Sequence, residues 1–231
     1  MQTPKTIDEL EQRVKAIAGM SLGQLALEHQ VVLPKDLKKE KGLVGQLLEQ
    51  ALGASAGCKS MPDFEQLSVE LKTIPINTQG KPAESTYVCT VPMRDHANLS
   101  WHESAVYRKL AHVLWLPIEA DKSISLSNRR IGMGILWQMP EAVEQLLKRD
   151  WEELMELVAL GQIDSISAKQ GVYLQIRPKA LNNKARCVGI GPDGGSIQTL
   201  PRGFYLRASF TEMILAKGYL NQDDKRRTTA I

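Results

Sequence analysis

Apolar positions recur every three or four residues near the start of the chain, every second residue in its middle, and every three or four again further on. Ile7, Leu10, Val14 and Ile17 follow the capping box Thr6-Ile-Asp-Glu9 and predict a helix that Gly19 stops. Ser21 and Gln24 repeat the capping pattern and predict a second, short helix. A third spans Leu43 to Leu52, with the stripe Leu43, Val44, Leu47, Leu48 and Ala51. At roughly 100° per residue, Glu49 falls beside that stripe and can lean into a cleft at the edge of the core. Residues 68–74 alternate and read as a strand ended by Pro75; residues 85–91 read as another, and the two are expected to form a hairpin. Lys109 to Ile118, KLAHVLWLPI, reads as a buried strand.

Glu141 to Leu160 is the longest predicted helix, with Val143, Leu146, Leu147, Leu154, Leu157 and Val158 inward and its carboxylates on a solvated face. Ile163–Ala168 and Val172–Arg177 suggest a second hairpin. In it Val172, Leu174 and Ile176 share an apolar face, while Tyr173, Gln175 and Arg177 share the other. Residues 187–203, rich in Gly and Pro, read as a loop. Ser209-Phe-Thr-Glu212 is expected to cap a last helix ending near Lys217, before Gly218 and a polar tail.

Composition narrows the class. The 231 residues are 43% apolar and 24% charged, which supports one large domain or two lobes on a shared core and argues against wholesale disorder. MQTPKTIDELEQRV has no signal-peptide pattern, and no segment reaches the roughly 20 apolar residues of a membrane span. The expectation is a soluble intracellular protein without a membrane partner. Three scattered cysteines, Cys58, Cys89 and Cys187, and four scattered histidines lack zinc-ligand spacing. A net charge of +3 permits a nucleic-acid partner without requiring one.

The chemistry concentrates in PDFEQLSVELKT, residues 62–73. On a strand Glu70 and Lys72 point the same way, and the connection from Asp63 can fold back to that point. Two carboxylates supply the hard oxygen ligands that Mg²⁺ takes alongside waters and phosphate oxygens. A neighbouring ammonium suits an attacking water and the charge that develops on a phosphate. The alternative is a half-buried strand with a wet, charged face.

Asp63, Glu70 and Lys72 with Pro62 resemble the PD-(D/E)xK nuclease motif. GLVGQLLEQALGASAG at 42–57, VELKTIP at 69–75, VLWLPIE at 113–119, DWEELMELVALGQI at 150–163, YLQIRPKA at 173–180 and TLPRGFYL at 199–206 occur in an order similar to that of the MutH family. The resemblance covers nearly the whole chain. It implies a restriction-endonuclease-like α/β fold, with a mixed β-sheet flanked by helices and two lobes enclosing a DNA cleft. The first lobe, about residues 1–105, would carry catalysis and the second, about 106–220, recognition, with 221–231 a flexible tail. It also implies a Mg²⁺-dependent nick 5′ to the G of GATC, in the unmethylated strand of hemimethylated double-stranded DNA. The enzyme would be a cytoplasmic monomer activated by MutL after MutS has found a mismatch.

By the same resemblance Asp63 and Glu70 hold the metal, Lys72 assists the water and Glu49 is a fourth catalytic group. Lys109 contacts phosphate near the scissile bond and Lys41 contacts backbone phosphate. Arg177, with Pro178 and Lys179, belongs to the recognition segment, and Tyr205 senses adenine N6. Tyr87 stands where a relative has Phe; its role and that of Cys187–Ile197 are left open. Two other readings remain. One is an autonomous type II restriction enzyme for GATC, which would cut both strands without MutL. The other is a non-catalytic module that binds DNA by methylation state.

Overall fold

The computed structural model describes residues 2–34, 42–55, 61–94, 99–167, 169–179 and 185–229. Three helices open the chain, the first two with side-chain caps. Helix α1 (Ile7–Ile17) starts at Thr6, whose hydroxyl accepts from the Glu9 backbone N–H at 3.2 Å. Helix α2 (Leu22–Glu28) starts at Ser21 with a reciprocal box: Gln24 N–H donates to Ser21 Oγ, and Ser21 N–H to Gln24 Oε1. Helix α3 is Leu43–Leu52, with Leu47, Leu48, Ala51 and Leu52 buried.

Strands β1 (Glu70–Ile76) and β3 (His112–Glu119) pair in parallel, and β4 (Ile135–Gln138) pairs antiparallel to β3. The result is a mixed sheet in the order β1-β3-β4. Residues in register project to one side. Leu71, Leu114, Leu116 and Leu136 therefore share a face, and they pack into one core with Leu10, Val14, Leu47 and Leu48 of the N-terminal helices. Glu70, Lys72, Val113, Trp115, Ile135 and Trp137 occupy the opposite face. There helix α6 (Ala208–Thr229) approaches so closely at Gly218 that a Cβ would lie 2.5 Å from Ile135 Cδ1. Helices thus cover both faces of a mixed sheet, as expected.

A second sheet has the order β2-β8-β5, from β2 (Thr86–Thr90), β8 (Arg202–Leu206) and β5 (Leu174–Pro178), with β8 antiparallel to both neighbours. Strands β6 (Cys187–Ile190) and β7 (Ser196–Thr199) form a separate antiparallel ribbon. Helices α4 (Ala105–Leu110) and α5 (Glu141–Ala159) complete the elements. The chain divides into two compact units: Met1–Glu84, His112–Gln138 and Thr211–Ile231 form one, Ser85–Ala111 and Met139–Phe210 the other. Among the described residues no helix is long and apolar enough to cross a membrane.

Several expectations need correction. Strands β1 and β2 do not form a hairpin, because each finds its partner far along the chain. Residues 163–165 form a short 3₁₀ turn rather than a strand pairing with 172–177. The segment 187–203 is not a loop but holds β6, β7 and the start of β8. Lys109 lies in α4, capped by the Ser104 hydroxyl, and the strand begins only at His112. The last helix begins at Ala208 and continues through Gly218.

Candidate active site and DNA-reading surface

A tight loop delivers Asp63 to the start of β1. Phe64 and Val69 exchange backbone hydrogen bonds of 2.9 and 3.2 Å around the turn Glu65–Leu67, and Ser68 takes a left-handed conformation at φ 52°. That reversal lays Asp63 beside the strand, where its Oδ2 accepts from the Leu71 backbone N–H at 2.8 Å. The Asp63 carbonyl accepts in turn from Ser55 N–H, just beyond the end of α3, at 3.0 Å. The acid is thus fixed by backbone on both sides.

Glu70 and Lys72 are buried, with 4% and 7% of their surfaces exposed. The Lys72 ammonium donates to Glu70 Oε1 at 2.9 Å. A wet charged edge would leave both side chains in water, so that alternative does not describe β1. Both sit on the sheet face opposite the N-terminal helices, in register with Val113 and Trp115. His112, one residue before Val113, has its imidazole held below the usual value mainly by burial, with a hydrogen bond to the Leu67 backbone working the other way. Glu49 is half-buried on α3, and its Oε1 lies 3.8 Å from where a Cβ on Gly45 would stand.

Among the described residues no three His, Cys, Asp or Glu side chains gather closely enough to enclose an ion. Mg²⁺ is commonly held by one or two carboxylates and completes its shell with water and substrate phosphate. Asp63, tethered at Leu71, and Glu70, one residue earlier on the strand, supply two such groups. Lys109 is 8% exposed near the end of α4 and belongs to the second unit, whereas Glu49, Asp63, Glu70 and Lys72 belong to the first. Lys41 lies outside the described residues.

The second unit carries the expected recognition residues. Arg177, Pro178 and Lys179 are exposed at the end of β5, and Tyr205 is half-buried on β8. Tyr87, Tyr205 and Gln175 stand in register across the three strands. The two tyrosine rings meet edge to face with centroids 5.3 Å apart. The Arg177 guanidinium lies 5.9 Å from the Tyr205 ring, and the Lys179 ammonium lies 3.7 Å above the Tyr87 ring while bonding its hydroxyl. The aromatic beside Arg177 is therefore Tyr205, across the sheet, and not Tyr173, whose ring packs on Phe210 at 5.3 Å. Val172, expected on the apolar face, is 63% exposed.

Two contributors escaped the sequence reading. Ser85 Oγ accepts from Gln175 Nε2 at 3.0 Å and from Arg177 Nη1 at 3.3 Å, holding both side chains to the start of β2. Asp150 of α5 is buried, and its carboxylate accepts the backbone N–H groups of Val172, Tyr173 and Leu174 at 2.8, 2.7 and 2.8 Å. Such a run of N–H groups forms an anion-binding nest, and here it sets where β5 begins. The readable signal was an acid on the same helical arc as Leu147, Trp151 and Leu154.

A mixed sheet with helices on both faces is the restriction-endonuclease-like architecture, and a DNA endonuclease is the class to which the chain's relatives assign it. The family described as DNA mismatch repair enzyme MutH matches residues 52–150. The chain is 49% identical over 214 residues to the DNA mismatch repair protein MutH of Shewanella sp. (strain MR-7), covering 93% of this chain and 96% of that protein. It is 49% identical over 216 residues to the protein of the same name from Serratia proteamaculans (strain 568), covering 94% and 95%. The chain belongs to the MutH family of mismatch repair endonucleases.

Proposed function

We propose that the chain is a Mg²⁺-dependent endonuclease that nicks the unmethylated strand 5′ to the G of hemimethylated GATC sites, as a cytoplasmic monomer activated by MutL. The buried Glu70–Lys72 pair, with Asp63 tethered at the next residue, is the observation that carries this reading. A bound Mg²⁺ would polarise the scissile phosphate and ease deprotonation of an attacking water. Asp63 and Glu70 hold the ion. Lys72 orients the water and offsets the negative charge that grows on the phosphate. Glu49 completes the acidic set. Lys109 and Lys41 contact backbone phosphate, which gives affinity without sequence information. Arg177, with Pro178 and Lys179, reads guanine in the major groove through the bidentate geometry that a guanidinium allows. Tyr205 approaches adenine N6, where a methyl group would collide with it.

The test is nicking of a hemimethylated GATC plasmid by the full-length protein, with and without Mg²⁺ and MutL. Nicking of one strand that needs Mg²⁺, rises with MutL and is lost in Glu70→Ala is the expected result. Full activity in Glu70→Ala would remove the assigned chemistry. Rapid linear product from unmethylated plasmid, insensitive to MutL, would instead indicate a restriction enzyme, and metal-independent binding without any cleavage a binding module.

A further inference from the structure

Gly203 lies on β8 between Arg177 of β5 and Thr90 of β2, buried under the two tyrosine rings. A Cβ built on it would stand 2.8 Å from Tyr87 Cε2, 3.1 Å from Tyr205 Cε2 and 3.3 Å from the Cys89 carbonyl oxygen. The first distance is closer than carbon atoms approach without repulsion. Gly203 is not among the glycines with a positive φ, so the backbone itself would accept an L side chain. The constraint is space, and the space is filled by rings.

We infer that Gly203 is a specificity-positioning residue: its missing side chain lets the Tyr87 and Tyr205 rings close over β8, and so fixes where Tyr205 meets the adenine. This rests on the recognition reading above. The chain of contacts is short and continuous. Tyr87 is braced from its far end by Thr90 Oγ1, 3.0 Å from the phenol oxygen, and by the Lys179 ammonium. Tyr205 is braced by Tyr87 on one side and the Arg177 guanidinium on the other. A methyl group at position 203 enters beneath the junction of the rings. With Tyr87 tied down, Tyr205 takes much of the displacement, and the ring edge that judges a single methyl group on adenine moves out of place.

The experiment measures nicking of GATC plasmids, hemimethylated and fully methylated, with Mg²⁺ and MutL, for wild type, Gly203→Ala, Tyr87→Ala and the double variant. The expected result is a drop of at least about fivefold in the hemimethylated-to-methylated ratio for Gly203→Ala, the lower end of what one good base contact contributes. In the Tyr87→Ala background the same substitution should change the ratio by less than about twofold, because its closest contact is gone and the strand can relax into the vacated space, easing the 3.1 Å approach to Tyr205 Cε2; such non-additivity is what coupled neighbours show. An unchanged ratio in Gly203→Ala overturns the inference, as does the same fold-loss in both backgrounds. Should Gly203→Ala fail to fold, restored folding in the double variant supports ring crowding and continued failure refutes it. A wild-type protein that does not distinguish the two plasmids would instead refute the recognition reading itself.

Discussion

An ammonium group taken out of water costs several kcal/mol unless a counter-charge lies within hydrogen-bond reach. Lys72 meets that condition with Glu70 at 2.9 Å, and both are buried at the start of β1. Each partner therefore depends on the other for burial and, in our reading, both serve the chemistry, and the two roles separate by substitution. Lys72→Ala should abolish nicking and destabilise the fold by roughly 3–5 kcal/mol, the usual cost of stranding one member of a buried pair. Glu70→Gln/Lys72→Met keeps volume while removing both charges; it should regain most of the stability in urea unfolding but none of the nicking. A double variant as unstable as the single would show that burial at this point does not depend on charge pairing.

At the scale of elements, Asp150 illustrates how a helix can dictate a strand. Three consecutive N–H groups converge on its carboxylate at the entry to β5, the last of them from its first residue, Leu174. Asp150→Asn loses the charge and one acceptor oxygen. It should cost roughly 1–3 kcal/mol and speed hydrogen exchange at residues 172–174 while α5 stays protected. Unchanged exchange at those amides would mean that something else holds the strand start. The same scale shows what the sequence could and could not disclose. The starts of α1 and α2 were legible because Thr6 and Ser21 cap locally, within three residues. The partners of β1, β2 and β5 were not, because alternation marks a strand without naming its neighbour. Short α4 was hidden by the apolar run that follows it, and Gly218 looked like a stop. An interior glycine costs a helix only about 1 kcal/mol, and here it admits Ile135. In the candidate site, Asp63, Glu70 and Lys72 were visible as a motif. Asp150 and Gly203 were not, since Asp150 acts on N–H groups more than twenty residues on and the ring closest to Gly203 is that of Tyr87, far back in the chain.

At the scale of the whole molecule, pH should act on stability through His112. Burial holds its folded-state value below the ordinary imidazole value of about 6.5. Above that pH both states are neutral and nothing is lost. As pH falls below it towards the folded value, the unfolded chain takes up the proton first and the native state loses ground. Melting of wild type and His112→Gln should therefore diverge between pH 7.5 and 5.5, with the variant gaining relative to wild type on acidification. A constant difference across that range would exclude His112 as the source.

The chain passes between its two units at four points, 84/85, 111/112, 138/139 and 210/211. Neither unit is one continuous stretch of polypeptide. A protease that severs any one of these passages yields two fragments, at least one of which still carries parts of both units. For the same reason, neither half can be grafted onto another protein by simple end-to-end fusion.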